Sequence, residues 1–374
     1  MEEPEPDFGS VAAPPADEVK AVDEAPPRRA PEKNEEGSKK SKREGHKANG
    51  QEQKKEGADM NSPDSLPEKM MSELAFSSAD SRDVSPGVIQ GLVQIMSTGV
   101  ADKRKKATIA MCNLCCESMV NRANAGQYGA VPVLIEMMQD SNPDQHLQRL
   151  ATACICNLSA DPPLKDAIAQ GGAIPHLSSL LDSEDDTIDA RAATAHAAAT
   201  LWSLCVDMEH IKPLVAEEPT LRALMRLLDS PESFVRGQAC GCVGEVCIGN
   251  KKIKGQLSEY GVIPKLITLL EEPEPSTQRL AASALCNLSA NHESNKKLSR
   301  QCGLIDALIK MLKETEDEAV QSAAAGGLYN LVSAADREKM EQSGVIEIMR
   351  QVPISRNINV RLGIKSKKSA QPQS

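Results

Sequence analysis

Aromatic side chains are nearly missing from this chain. One Trp, three Tyr and three Phe make up 2% of 374 residues. A core built on stacked rings is therefore excluded, as is a stacking platform for single-stranded nucleic acid. The core must come from Leu, Ile, Val, Met, Ala and Cys, which suits helices that approach closely through small side chains. No run of roughly 18 apolar residues occurs, so a membrane is reached only indirectly. The eleven cysteines show neither a disulfide framework nor a zinc pattern: Cys112 and Cys115 lie three apart, but no second pair follows at a suitable spacing. His146, His176, His196, His210 and His292 are scattered, with no nucleophile or acid at recurrent offsets. The expectation is a protein that is not an enzyme, with no cofactor, metal or small-molecule substrate.

Charge divides the chain. Residues 1–86 are rich in Pro, Glu, Lys and Ser and hold 13 basic against 20 acidic residues, while the remaining 288 hold 30 against 33. The tail therefore accounts for most of the net charge of −10. Its composition predicts a disordered polar segment. Residues 353–374 are basic and predicted to form a second tail. Within the first tail, KKSKR at 39–43 reads as a localisation signal, as an internal ligand for the folded part, or as a solvated charge block.

Between the tails one phrase keeps returning: MCNLCC at 111–116, CICNLSA at 154–160, ALCNLSA at 284–290 and LYNLVSA at 328–334, with weaker copies at 201–206 and 244–249. Anchored on Asn113, the equivalent positions are Asn157, Ser203, Glu245, Asn287 and Asn330, in steps of 44, 46, 42, 42 and 43 residues. That period belongs to helical solenoids. Six residues before the anchors stand Ala107, Ala151, Ala197, Ala239, Ala281 and Ala324. Such a column marks a point where a larger side chain would push adjacent helices apart. Apolar residues two before and one after each anchor complete a buried helix face. A second amphipathic segment precedes each such helix, three of them opening with Pro132, Pro175 and Pro264. Gly129, Gly172, Gly261, Gly303 and Gly344 stand where the helix before it should end.

The order is then a short helix, glycine, a second helix, a polar loop and a long third helix. With the Gly-x-Ile/Val-Pro-x-Leu-x-x-Leu-Leu and Ala-x-x-x-x-Leu-x-Asn-Leu runs, residues 87–352 resemble the armadillo repeat family. The resemblance implies an all-α fold: a right-handed α-solenoid of about six repeats with a partial capping repeat at 346–352. It also implies a concave groove lined by third helices, in which asparagines hold the backbone of an extended peptide. Carried onto this chain, that role falls to Asn113, Asn157, Asn287 and Asn330, with Ser203 and Glu245 breaking the ladder. An amide offers both a donor and an acceptor, which suits the role, though the same group could tie neighbouring helices together. Glu245 would place a carboxylate in the groove. Lys105, Arg149 and Arg279, eight residues before their anchors, would face acidic side chains of a partner or remain solvated.

The resemblance thus points to a protein-protein interaction scaffold or adaptor that binds one or more proteins through extended or disordered segments, in the cytoplasm and also in the nucleus. A nuclear transport adaptor of the importin-alpha type is the alternative, and it would need tryptophans one turn before the anchors. Ile109, Ala153, Ala199, Gly241, Ser283 and Gly326 stand there, and Trp202 is expected in the core. A structural subunit of a membrane-tethered or cytoskeletal complex is a third reading. The loop LDSEDDTIDAR at 181–191 gathers Asp182, Glu184, Asp185, Asp186 and Asp189, an acidic knob for a basic partner or plain solubilising chemistry. Nucleic acid is not expected, because neither basic segment interleaves aromatics.

Overall fold

The structure, a computed structural model, describes residues 83–139, 144–183, 185, 187–332 and 336–349. Of the predicted tails at 1–86 and 353–374, only residues 83–86 are among these; the rest, KKSKR included, lies outside the described residues. The described residues form helices and no strand. The array opens with α1 (Pro86–Thr98) and α2 (Ala101–Glu117), the second and third helices of a first repeat. Complete repeats follow: α3 (Met119–Gln127), α4 (Ala130–Gln139) and α5 (Gln145–Ser159); then α6 (Pro162–Gln170), α7 (Ala173–Leu180) and α8 (Ile188–Cys205). The fourth holds α9 (Lys212–Val215), α10 (Glu218–Leu227) and α11 (Ser233–Val246). The fifth holds α12 (Lys251–Glu259), α13 (Val262–Thr268) and α14 (Pro275–Ser289), and the sixth α15 (Glu293–Gln301), α16 (Leu304–Glu314) and α17 (Glu318–Leu331). The closing segment is longer than expected: α18 (Arg337–Gln342) and α19 (Val345–Met349) supply first and second helices of a seventh repeat.

Local chemistry explains these boundaries. Asp144, Thr187, Asn250 and Asp317 each accept a backbone N–H of the helix they precede, satisfying donors that have no partner within the helix. In repeats two, three, five, six and seven the junction between first and second helix passes through a glycine at φ between 73° and 85° (Gly129, Gly172, Gly261, Gly303 and Gly344), a left-handed conformation that a Cβ disfavours; in the fourth repeat Ala216 and Glu217 make the junction at negative φ. The second helices begin two residues before Pro132, Pro175 and Pro264, so each proline occupies the first turn, where no N–H is missed.

The third helices contact one another in series, α2 on α5, α5 on α8, and so on to α17. The alanine column puts one residue on each of these helices, and all six alanines are fully buried. Trp202 is buried too, 1% exposed, inside the stack as expected. It lies against Gly241 of the next third helix, where a Cβ would meet indole atoms at 2.5–2.7 Å. Gly244 likewise faces the Ala284 backbone, with only 3.1 Å to spare for a Cβ. Glycines in this helix therefore serve close helix contact.

Gly241→Ala should destabilise the protein by about 1–3 kcal/mol, because the indole cannot withdraw from a packed interior. Trp202→Leu in the same chain should restore part of the loss. Denaturant unfolding followed by circular dichroism checks both, since the only tryptophan is the residue being changed.

Candidate functional site

The anchor residues form a row across successive third helices, and their side chains reach backwards. Asn157 Nδ2 donates to the Cys112 carbonyl at 3.0 Å, Asn287 Nδ2 to Gly244 at 3.1 Å and Asn330 Nδ2 to Cys286 at 3.1 Å. Each acceptor is the residue just before the anchor of the preceding repeat. Ser203 also reaches back one repeat but to a different point, its Oγ donating at 2.9 Å to the carbonyl of Ser159, two residues after the anchor Asn157. Asn157, Ser203, Glu245 and Asn330 are buried, while Asn113 and Asn287 are half-buried. The tie between helices is therefore present, and it occupies one hydrogen of each of these three amides. The Oδ1 atoms of Asn157, Asn287 and Asn330 accept nothing from the described chain.

Glu245 does not present an open carboxylate. It is 4% exposed, and Lys212 Nζ lies 3.2 Å from Oε1 while also holding Glu209 at 2.6 Å. Burial raises the Glu245 pKa against the opposing pull of Lys212. The Lys212 pKa is raised as well, its burial overcome by the two carboxylates. The cations expected to face a partner are also largely committed. Lys105 pairs with Asp144, and Arg149 Nε donates to Asp189 at 2.7 Å, both partners belonging to the next repeat. Arg279 differs: it is half-buried and has no charged partner among the described residues.

The acidic loop is consumed in the same way. Asp182 pairs with Arg226, Asp189 with Arg149, and Asp185 accepts from the Thr187 N–H at 2.9 Å, so these three do not form an unpaired acidic knob. Glu184 and Asp186 lie outside the described residues. A cleft of about 720 Å³ beside the loop is walled by Asp182 with Arg226 and by Arg191 with Glu232. All eleven cysteines are free thiols. Burial pushes Cys156 up to about 11 and Cys286 up to about 12, which keeps them protonated and unreactive. Among the described residues no group of His, Cys, Asp or Glu is arranged to hold a metal ion, and no helix is long and apolar enough to cross a membrane.

One set of functional contacts went unread in the sequence. Lys165 Nζ donates to the Val206 carbonyl at 2.8 Å and Lys254 Nζ to Ala290 at 2.8 Å, each closing the end of the third helix of its own repeat. Arg122 reaches the Cys115 and Cys116 carbonyls, and Arg300 reaches Leu331. A cation at a helix C-terminus meets both unpaired carbonyls and the negative end of the dipole. The signal was available: Arg122, Lys165, Lys212 and Lys254 stand eight or nine residues after their anchors.

Residues 120–160, 250–290 and 292–333 match the model of the Armadillo/beta-catenin-like repeat. These segments coincide with the second, fifth and sixth repeats. Similar solved structures include an engineered protein (TM-score 0.64, 20% identity, covering 78% of this chain and 71% of its own). Another is the designed armadillo repeat protein YIII(Dq)4CqI (TM-score 0.59, 20% identity, 65% of this chain and 100% of its own). A third is the designed armadillo repeat protein YIII(Dq.V1)4CPAF, solved with the peptide (KR)4 (TM-score 0.57, 18% identity, 65% and 99%). No curated protein gives a significant match. The fold is thus a right-handed α-solenoid of the armadillo type. Three of its repeats carry the Armadillo/beta-catenin-like pattern.

Lys212→Met should cost about 3–5 kcal/mol at neutral pH, because it leaves the Glu245 carboxylate buried without a counter-charge. The sign with pH follows from the raised Glu245 pKa. Protonation removes the uncompensated charge, so the gap between variant and wild type should narrow as pH falls towards and below the ordinary Glu range. Urea titrations of both proteins at several pH values measure it; a gap that widens on acidification contradicts the pairing.

Proposed function

We propose that this array is a non-enzymatic scaffold that holds one or more proteins by extended segments laid along the row of third helices. The reading rests on the unused amide oxygens of Asn157, Asn287 and Asn330, set at repeat intervals with their amide planes fixed by the preceding helix. An acceptor held in place can take a backbone N–H without reading the side chains around it. A sequence-tolerant grip of this kind suits a segment that is disordered until bound, which then bears most of the ordering cost. The peptide bound by the designed armadillo protein supports the idea that such an array accepts extended chains.

The grip is uneven. Asn113 and Asn157 serve the first repeats and Asn287 and Asn330 the last, with Ser203 and the paired Glu245 between them. Arg279, without a partner of its own, favours an acidic side chain on the segment bound at the fifth repeat. We place the protein in the cytoplasm or nucleus, where buried free thiols persist.

Capture from native lysate by the full chain tests the reading against two variants. Asn157→Ala with Asn287→Ala should remove specifically captured proteins at least tenfold while costing about 1 kcal/mol of stability for each lost hydrogen bond. Melting curves recorded on the same preparations separate lost binding from lost folding. Arg279→Glu breaks no hydrogen bond or ion pair among the described residues and should weaken capture with little change in melting. Unchanged capture by both variants overturns the groove as the working surface.

A further inference from the structure

We infer that a pocket between repeats three and four, walled by first and second helices, receives an apolar side chain from a basic segment of a partner protein. The pocket follows from two prolines. The first helices of repeats two, three, five and six are each nine residues long, whereas α9 has four. Pro213 lies in the first turn of α9 and Pro219 in that of α10. Pro219 stands sixteen residues after Ser203, as Gly261 stands after Glu245. Gly261 makes its junction at φ 80°, which a proline ring forbids. The chain therefore leaves α9 at Val215 and passes through Glu217 at φ −71° and ψ 148°. Its counterpart α12 continues two residues further, past Leu257 to Glu259.

A cavity of about 600 Å³ opens at this place, a size that suits a ligand. Its apolar lining is Ala169, Ile174, Pro175, Leu214 and Pro219. Ser178 and Thr220 also line it, but Thr220 Oγ1 donates to Ser178 Oγ at 2.9 Å, so the two hydroxyls engage one another. No third helix contributes, and the surface is separate from the row of asparagines. Leu214 is 50% exposed in the wall. At the equivalent place repeat five has the polar Gln256, and repeat six has Leu298, which packs against the core. A leucine half in water beside an apolar wall is stabilised when a second apolar side chain covers both.

Charge selects the rest of the occupant. Both charged residues in the lining are acids, Asp182 and Glu217. Asp182 pairs with Arg226, and Glu218, next in the chain, pairs with Arg222. The Glu217 side chain is exposed and has no partner among the described residues. A lysine or arginine beside the inserted side chain meets that carboxylate, and an acidic neighbour is repelled.

Panning a phage-displayed library of random dodecapeptides on the full chain tests the inference. The selected peptides should share an apolar residue beside lysine or arginine. Made synthetically and read by fluorescence anisotropy, they should bind Leu214→Glu and Glu217→Lys at least tenfold more weakly than wild type. Ala169→Trp, which fills the cavity instead of altering its exposed wall, should have the same effect, while Leu214→Met should retain binding. Asn157→Ala with Asn287→Ala should leave these affinities unchanged, which separates this surface from the groove. Peptides that lack the pattern, or that are weakened only by the asparagine substitutions, overturn the inference. So do affinities unmoved by both Leu214→Glu and Ala169→Trp. Sedimentation supplies the remaining outcome: a wild-type dimer that Leu214→Glu makes monomeric would assign the pocket to a second copy and also overturn it.

Discussion

The distance between consecutive third helices governs the rest of this molecule. It is set by a column of alanines that are buried without exception, and in the fourth repeat it is reinforced by Gly241 and Gly244. Only at such a separation can an asparagine reach the backbone of the helix before it. The three amide ties, with Cys112, Gly244 and Cys286 as acceptors, all span one repeat. A bulkier residue in the column would open the stack and break the tie together. Packing and site are thus one arrangement: the small residues that build the core also orient the amides that line its surface.

Charge acts on the same interval. Lys105 with Asp144, Arg149 with Asp189, Arg191 with Glu232 and Arg236 with Glu272 each join the start of one third helix to the loop or helix start of the next repeat. Exposed pairs contribute little energy individually. Arg149 and Arg236 are the more sheltered, with side chains 11% and 14% exposed, and their guanidinium groups have fixed directions. Within a repeat the buried lysines act instead, Lys165 and Lys254 each tying a first helix to the C-terminal carbonyls of the third helix of the same repeat. Register between repeats is therefore specified twice, by apolar fit and by polar groups that find partners in one alignment only.

Much of this was legible in the chain because the repeat imposes columns. The anchor steps, the alanines and the junction glycines recur at fixed offsets, and each has a local physical reason. What stayed hidden was pairing across repeats. Lys105 and Arg149 look like open cations because their acids lie 39 and 40 residues downstream, short of the repeat interval, at positions that form no column of one residue type. Glu245 looks like a break in a binding ladder until Lys212, 33 residues earlier, is seen to cover it. The asparagines could be placed on one face from their spacing. Which of their atoms were already committed depended on a distance between helices that no single repeat contains.

Among the complete repeats, those that match the family model and those that do not divide at the same place as the site. Repeats two, five and six have an asparagine anchor. Repeats three and four have Ser203 and Glu245, a long loop before α8 and a first helix reduced to Lys212–Val215. Ser203 spends its single donor on Ser159, and Glu245 spends its charge on Lys212, so neither contributes an open acceptor of the asparagine kind. Asn157 and Asn287 stand three helices apart, roughly 27 Å at about 9 Å per helix contact. An extended chain crosses that distance in about eight residues at ~3.3 Å each. A segment engaged at both ends must therefore bring some eight residues whose backbone finds no amide, and its selectivity there has to come from side chains. On the proposed reading, the uniform grip would lie at the two ends of the array and the discrimination between partners in its middle.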